Sequence, residues 1–168
     1  MHLWTSYTHI RQNYTIILNY IIEMNDTFTI RKLEYNDYYK DYMDLINSFT
    51  RSPESKTYDE FCMTLDKINS HNSHIFVIEH NNKIICSIKC LIEQKLHNNF
   101  KCVLHIEDIV THTDYRKKGL ATKLLEYSLD LAKDFNCYKI ILCSNPENYN
   151  FYLHKGFIQK GTEFTKYL

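Results

Sequence analysis

A strand, a basic turn and an amphipathic helix run from His105 to Phe135, and no other stretch narrows the possible folds of this chain as far. His105-Ile106-Glu107-Asp108-Ile109-Val110 reads as a strand and Tyr115-Arg116-Lys117-Lys118-Gly119 as a turn. Leu120, Ala121, Leu124, Leu125, Leu129, Ala132 and Phe135 then recur at helical spacing, so one stripe faces a core. The start of such a helix carries unpaired backbone N–H groups and the positive end of the peptide dipole. Gly119 lets the main chain approach a ligand with no side chain in between. This combination predicts a cradle for a diphosphate, with Arg116, Lys117 and Lys118 as cations beside it. Glu107 and Asp108 stand at the other end of the unit, where an amine can bind.

The 168 residues suffice for one domain with a real core, and the 44% hydrophobic fraction is that of a globular protein. Twenty basic residues balance twenty acidic ones, so bulk electrostatics call for neither a nucleic acid nor an anionic membrane, and any phosphate binding is local. The six cysteines form no Cys-x-x-Cys pair and follow no signal peptide, which fits a reduced cytosolic setting. Cys86 and Cys90 read as small buried hydrophobes. His71 and His74 lack a third ligand at a metal-site spacing, so no metal is expected. Residues 1–25 contain an apolar patch, Ile16 to Ile22, interrupted by asparagine. It is shorter than the ~20 apolar residues a membrane span needs. The segment reads as an N-terminal extension of uncertain role, either dispensable with Met24 as the true start or a helix packed on the domain or a second subunit.

From Phe28 the expected order is β-α-α-β-β-β-α-β-α-β. Phe28 to Leu33 reads as a strand, and Asn36 or Asp37 as the cap of a helix reaching about Phe49, broken by Ser52-Pro53. Thr57-x-x-Glu60 is a capping box for a helix carrying Phe61, Leu65 and Ile68. Two strands, His74 to His80 and Lys83 to Glu93, join through Asn81-Asn82, with Ile84, Cys86, Ile88, Cys90 and Ile92 on one face and Ser87, Lys89 and Glu93 on the other. A loop from Lys95 to Lys101 leads into the strand ending in Glu107-Asp108. After the central helix come a strand from Tyr138 to Leu142, a turn and helix start at Asn145 to Asn148, and a last strand from about Phe157 to Thr165.

Arg116-Lys117-Lys118-Gly119-Leu120-Ala121 resembles the acyl-coenzyme-A loop of the GNAT acetyltransferase superfamily. His105-Ile106-Glu107-Asp108-Ile109, Asn136-Cys137-Tyr138-Lys139-Ile140 and Asn148-x-x-Phe151-Tyr152-x-x-x-Gly156-Phe157 follow in the order and spacing of its members that acetylate glucosamine 6-phosphate. The close resemblance covers His105 to about Glu163. It implies an α+β GNAT domain over residues 26–168, a mixed, mostly antiparallel sheet flanked by helices and splayed at the acetyl-CoA loop. It further implies that the Ile109, Val110 and Thr111 backbone pairs with the pantetheine arm and that Lys117 to Thr122 hold the diphosphate, with Arg116, Cys143 and Asn148 also on the coenzyme side.

By the same resemblance Tyr152 faces the thioester sulfur, where a phenol of pKa ~10 protonates a departing thiolate of pKa ~8.5. Without it Tyr152 is one of fourteen tyrosines filling space. Glu107 and Asp108 join Tyr152 as catalytic candidates, but neighbours in a strand face opposite sides, which predicts two separate jobs rather than a shared-proton dyad. Thr50, Lys95, Leu96, His97, Asn98, Glu107, Asp108, Ile109 and Lys166 fall near the acceptor contacts. Two positions depart from the pattern. Cys143-Ser144 stands where an acidic residue is usual, and Lys166 or Tyr167 replaces a C-terminal arginine that reaches a sugar phosphate across a dimer. The expected activity is acetyl transfer from acetyl-CoA to the amine of glucosamine 6-phosphate by a cytosolic homodimer. A GNAT enzyme for another amine, or a non-catalytic acyl-CoA-binding module, remain as alternatives.

Overall fold

The computed structural model describes residues 28–49 and 56–168; the apolar N-terminal segment, Thr50 and the Ser52-Pro53 break lie outside the described residues. Five strands form one sheet in the order β1-β2-β3-β4-β5: β1 Thr29–Lys32, β2 Ser73–His80, β3 Lys83–Gln94, β4 Cys102–Thr111 and β5 Cys137–Leu142. The first three pairings are antiparallel and β4 with β5 is parallel. Helices α1 (Tyr42–Asn47) and α2 (Tyr58–Ser70) lie between β1 and β2, α3 (Leu120–Asp134) connects β4 to β5, and α4 (Tyr149–His154) follows β5. The sheet separates two cores. On one face Ile30, Phe76, Ile78, Ile88, Leu104 and Ile106 meet Leu120, Leu124, Leu131 and Tyr152. On the other Leu33, Val77, Ile84 and Val110 meet Tyr42, Leu45, Phe61 and Leu65.

Local chemistry accounts for most boundaries. The Thr57 side chain accepts from the Glu60 N–H at 3.3 Å while the Thr57 N–H donates to Glu60 Oε2 at 2.8 Å, closing the capping box at the start of α2. Asn81 and Asn82 have φ of 49° and 59°, the left-handed pair that a two-residue hairpin requires. Asp37 does not cap a long helix. It sits in a 3-10 turn, Tyr35–Tyr39, fully buried, with its oxygens accepting from Arg31 Nη1 and Nη2 at 2.7 Å each and from the Glu34 N–H at 2.8 Å. Asp41, at φ 59°, then breaks the chain before α1.

Three further expectations differ from the structure. Ile84 belongs to the α1/α2 core rather than lining up with Cys86, because the register shifts between Ile78 and Glu79 and leaves Ile85 as an extra residue. Leu129 is exposed on α3: at 100° per residue it lies roughly 120° around the helix from the middle of the buried stripe, which Tyr127, Ser128 and Leu131 complete. The strand expected from Phe157 to Thr165 is not formed. A strand exists only through a hydrogen-bonded neighbour; this segment has none among the described residues, and Gly161 interrupts it at φ 85°.

Candidate active site

The parallel ladder between β4 and β5 ends at the pair Ile106 and Leu142, while β4 continues to Thr111. Residues Glu107 to Thr111 therefore pair with β3 on one side and, among the described residues, present an unpaired edge on the other, and this is the split in the sheet. An extended ligand can take the missing strand's place there through main-chain hydrogen bonds. Within this stretch Asp108 has φ 50°. Between the pairs Lys89 with Glu107 and Ser87 with Val110, the two residues Asp108 and Ile109 oppose the single Ile88, a β-bulge. The bulge suspends the simple alternation expected of Glu107 and Asp108, and both are exposed. Lys89 Nζ stands 3.7 Å from Asp108 Oδ2.

At the start of α3 the cradle has the geometry an anion needs. Gly119 is the N-cap at φ 78°, no side chain caps the helix, and no acidic residue occupies its first turn. The Gly119 carbonyl accepts from Lys123, so the amides of the first turn are free of backbone partners and the helix dipole is uncompensated. A Cβ on Gly119 would meet nothing within 4 Å, so the space above it is open. Lys117 adopts φ 62°. Arg116 Nε donates to the Thr111 carbonyl at 3.3 Å and Lys118 Nζ lies 4.7 Å from the centre of the Tyr115 ring, which fixes two cations beside the turn. Leu120 is buried and anchors the turn to the core, while Ala121 and Thr122 are half-buried. These residues fit the diphosphate of a coenzyme A thioester.

Tyr152, on α4, is buried against the α3 core, edge-on to Phe151 and Phe157. Among the described residues its hydroxyl has no hydrogen-bond partner, and burial raises its pKa above the ordinary phenol value, so it stays protonated and able to donate. Cys143, the residue after β5, is exposed beyond the end of the ladder. Its thiol pKa is raised by desolvation and then by the negative charges of Glu163 and Glu107. Glu163 thus brings a carboxylate of the C-terminal segment to the position where Cys143 stands without one. Asn148 is exposed and closes the turn before α4, its N–H donating to the Asn145 carbonyl at 3.0 Å.

Seven of the residues expected near the acceptor fall into two groups. Glu107, Asp108 and Ile109 border the split. Lys95, Leu96, His97 and Asn98 lie in the β3–β4 loop at the opposite end of β4, about five residues or ~17 Å along the strand. A polar line connects the two: Lys95 donates to Glu93, Glu93 Oε2 lies 2.8 Å from His105 Nε2, and His105 precedes Glu107 by two on the same strand. Glu93 is held below its ordinary pKa by Lys95 and His105. Lys166 is exposed in the C-terminal segment, and Thr50 lies outside the described residues. Sequence reasoning passed over Lys89, Glu163 and the Glu93–His105 pair as site residues. None stood out in the sequence, where Lys89 and Glu93 read as the polar face of a half-buried strand.

Residues 32–157 match the model of the acetyltransferase (GNAT) family, and the chain belongs to it. Its members use acetyl-CoA, and the fold and the split define an acyltransferase. Within the family the chain is 34% identical over 148 residues to glucosamine 6-phosphate N-acetyltransferase of Arabidopsis thaliana, covering 86% of this chain and 99% of that protein. It is 32% identical over 139 residues to the Candida albicans enzyme of the same name, covering 81% and 93%. The crystal structure of the Arabidopsis enzyme superposes with a TM-score of 0.79 at 36% identity, over 84% of this chain and 99% of that one. Among the described residues no group of three or more His, Cys, Asp or Glu is placed to hold a metal ion, and no helix is long and apolar enough to cross a membrane.

Proposed function

We propose that this protein transfers acetyl from acetyl-CoA to the amine of D-glucosamine 6-phosphate, giving N-acetylglucosamine 6-phosphate for UDP-N-acetylglucosamine synthesis. The observation that carries the reading is the unpaired β4 edge from Glu107 to Thr111, set between two carboxylates and the left-handed Gly119 helix start. The relatives that share most of this chain's length act, by their names, on that sugar phosphate.

The amides of Ile109 to Thr111 hold the pantetheine arm in strand register. The α3 start, with Arg116 and Lys118, binds the diphosphate. Glu107 and Asp108 bind and orient the acceptor amine. With an amine pKa near ~8, about a tenth is neutral at pH 7, so orientation beside the thioester replaces a strong base. The amine nitrogen attacks the thioester carbonyl, the C–S bond breaks, and Tyr152 donates its proton to the departing thiolate. The amine's proton leaves to the carboxylates or solvent.

The working form is a homodimer in a reducing cytosol. The outer edge of β5 has no strand beside it among the described residues. The segment after α4 exposes Ile158, Phe164, Tyr167 and Leu168, and all six cysteines are free thiols. Pairing of the two copies along this edge brings Lys166 toward a partner's sugar phosphate. The residues before 26 form an extension to the catalytic domain. A panel of amines tests the reading: glucosamine 6-phosphate is expected to exceed glucosamine ten- to a hundredfold in kcat/KM, the value of one charge-assisted phosphate contact. Equal rates on the two sugars, or a better amine of another class, refute the substrate. Lys166→Ala is expected to lower use of the phosphorylated sugar alone.

A further inference from the structure

Lys89 belongs neither to the coenzyme cradle nor to the acceptor residues named from sequence, yet it adjoins the most strained position of the split. Asp108 is the only residue of β4 with a left-handed backbone. A side chain is strained in that conformation, which persists only where the surroundings over-determine it. The two β3 residues that bracket the bulge are Ser87 and Lys89, which share one face of the strand. Ser87 is buried and is the polar neighbour of the Tyr42 phenol on α1, whose pKa burial pushes up to about 12. Lys89 sits opposite Glu107 and extends its ammonium to 3.7 Å from Asp108 Oδ2. One bracket is therefore fixed by the α1 core and the other by charge.

We infer that Lys89 is a positioning residue for the acceptor: its ammonium holds the Asp108 carboxylate in the orientation that receives the amine. The inference rests on the placement of Asp108 in the acceptor site. Both partners are partly exposed, Lys89 at 30% and Asp108 at 49% of the side chain. Solvent screening limits an exposed pair to about 1 kcal/mol, a fivefold effect at most.

Steady-state kinetics of Lys89→Met, Lys89→Arg, Asp108→Asn and the double variant Lys89→Met/Asp108→Asn test it. Lys89→Met keeps the aliphatic stem and is expected to raise the acceptor KM roughly three- to fivefold, with the acetyl-CoA KM unchanged. Lys89→Arg restores the acceptor KM, and in the Asp108→Asn background Lys89→Met adds nothing. An equal rise in both KM values, an undiminished effect in the Asp108→Asn background, or no effect at all overturns the inference. Should Lys89→Met fail to fold, Lys89→Gln carries the same comparison. If wild type ignores glucosamine 6-phosphate but uses another amine, the substrate reading falls while the same four variants are compared on that amine. A wild type that neither turns over nor binds any amine overturns both.

Discussion

Substitution of Gly119 separates backbone strain, bulk and charge at one position. The residue is the N-cap of α3 at φ 78°, and a Cβ there meets nothing within 4 Å. Gly119→Ala therefore creates no clash in the free protein and costs only the left-handed conformation, about 1–2 kcal/mol. For a domain of this size that is a fall in Tm of about 2–8 °C. Gly119→Lys and Gly119→Glu carry the same strain and differ in charge. A carboxylate 4 Å from a phosphate repels it by ~4 kcal/mol at an effective dielectric of 20 and ~1 kcal/mol in bulk water. The Glu variant is thus expected to bind acetyl-CoA between about fivefold and 10³-fold more weakly than the Ala variant. The Lys variant, its cation near the diphosphate, recovers part of what bulk removes. Calorimetric titration with acetyl-CoA, beside thermal melts of the free proteins, reads both quantities. Equal affinity for the Ala, Lys and Glu variants, all with the expected Tm loss, would show that no diphosphate sits above Gly119.

Tyr152→Phe is expected to lower kcat by about 10²-fold with acetyl-CoA affinity nearly unchanged, because a proton donor acts in the transition state; unchanged turnover means the ring only packs. Asp37→Ala leaves Arg31 without the partner that bonds both its terminal nitrogens, in a turn where Asp37 is fully buried. The expected loss is about 3 kcal/mol, and a Tm within 2 °C of wild type would contradict it. Stability is also expected to fall on acidification in two stages. His74 is pushed from 6.5 down to about 4 by burial and then by the charge of Lys32, so the unfolded chain takes up a proton first and stability declines as pH drops from 6.5 toward 4. Burial alone would raise Asp37, but Arg31 and the Glu34 N–H outweigh it and hold it below 3.8, so its contribution is present above that value and lost below it. Melts of His74→Gln across this range are expected to lack the first stage alone.

Where local chemistry decides the structure, the chain could be read directly. The Asn81-Asn82 turn, the Thr57 and Glu60 capping box and the basic turn before Leu120 each follow from three or four neighbouring residues, and the order of elements follows from them. What escaped reading depends on a second stretch of chain. A bulge is a count of two residues against one on another strand, so neither the displacement of Ile84 nor the left-handed Asp108 has a signature in its own strand. Asp37 has the composition of a helix cap, and only the approach of Arg31 and Glu79 from the sheet turns it into the centre of an ion cluster. Phe157 to Thr165 has the composition of a strand without, among the described residues, the neighbour that makes one. Glu163 reaches Cys143 across twenty residues of sequence, a proximity that no spacing encodes.

The sheet that divides the two cores also divides what backs the proposed site. Leu120 and Tyr152 belong to the α3-side core, whereas the backing of Asp108, through Tyr42, Ser87 and Val110, rests on the α1 and α2 side. The two cores meet through the sheet itself, since β2, β3 and β4 each place side chains in both. On the proposed reading, changes under α1 and α2 act on the acceptor side through Ser87 and Asp108, and on the coenzyme edge through Val110, whose side chain lies in the same core. A single strand, lined differently on its two faces, thus serves both halves of the proposed reaction in this small domain.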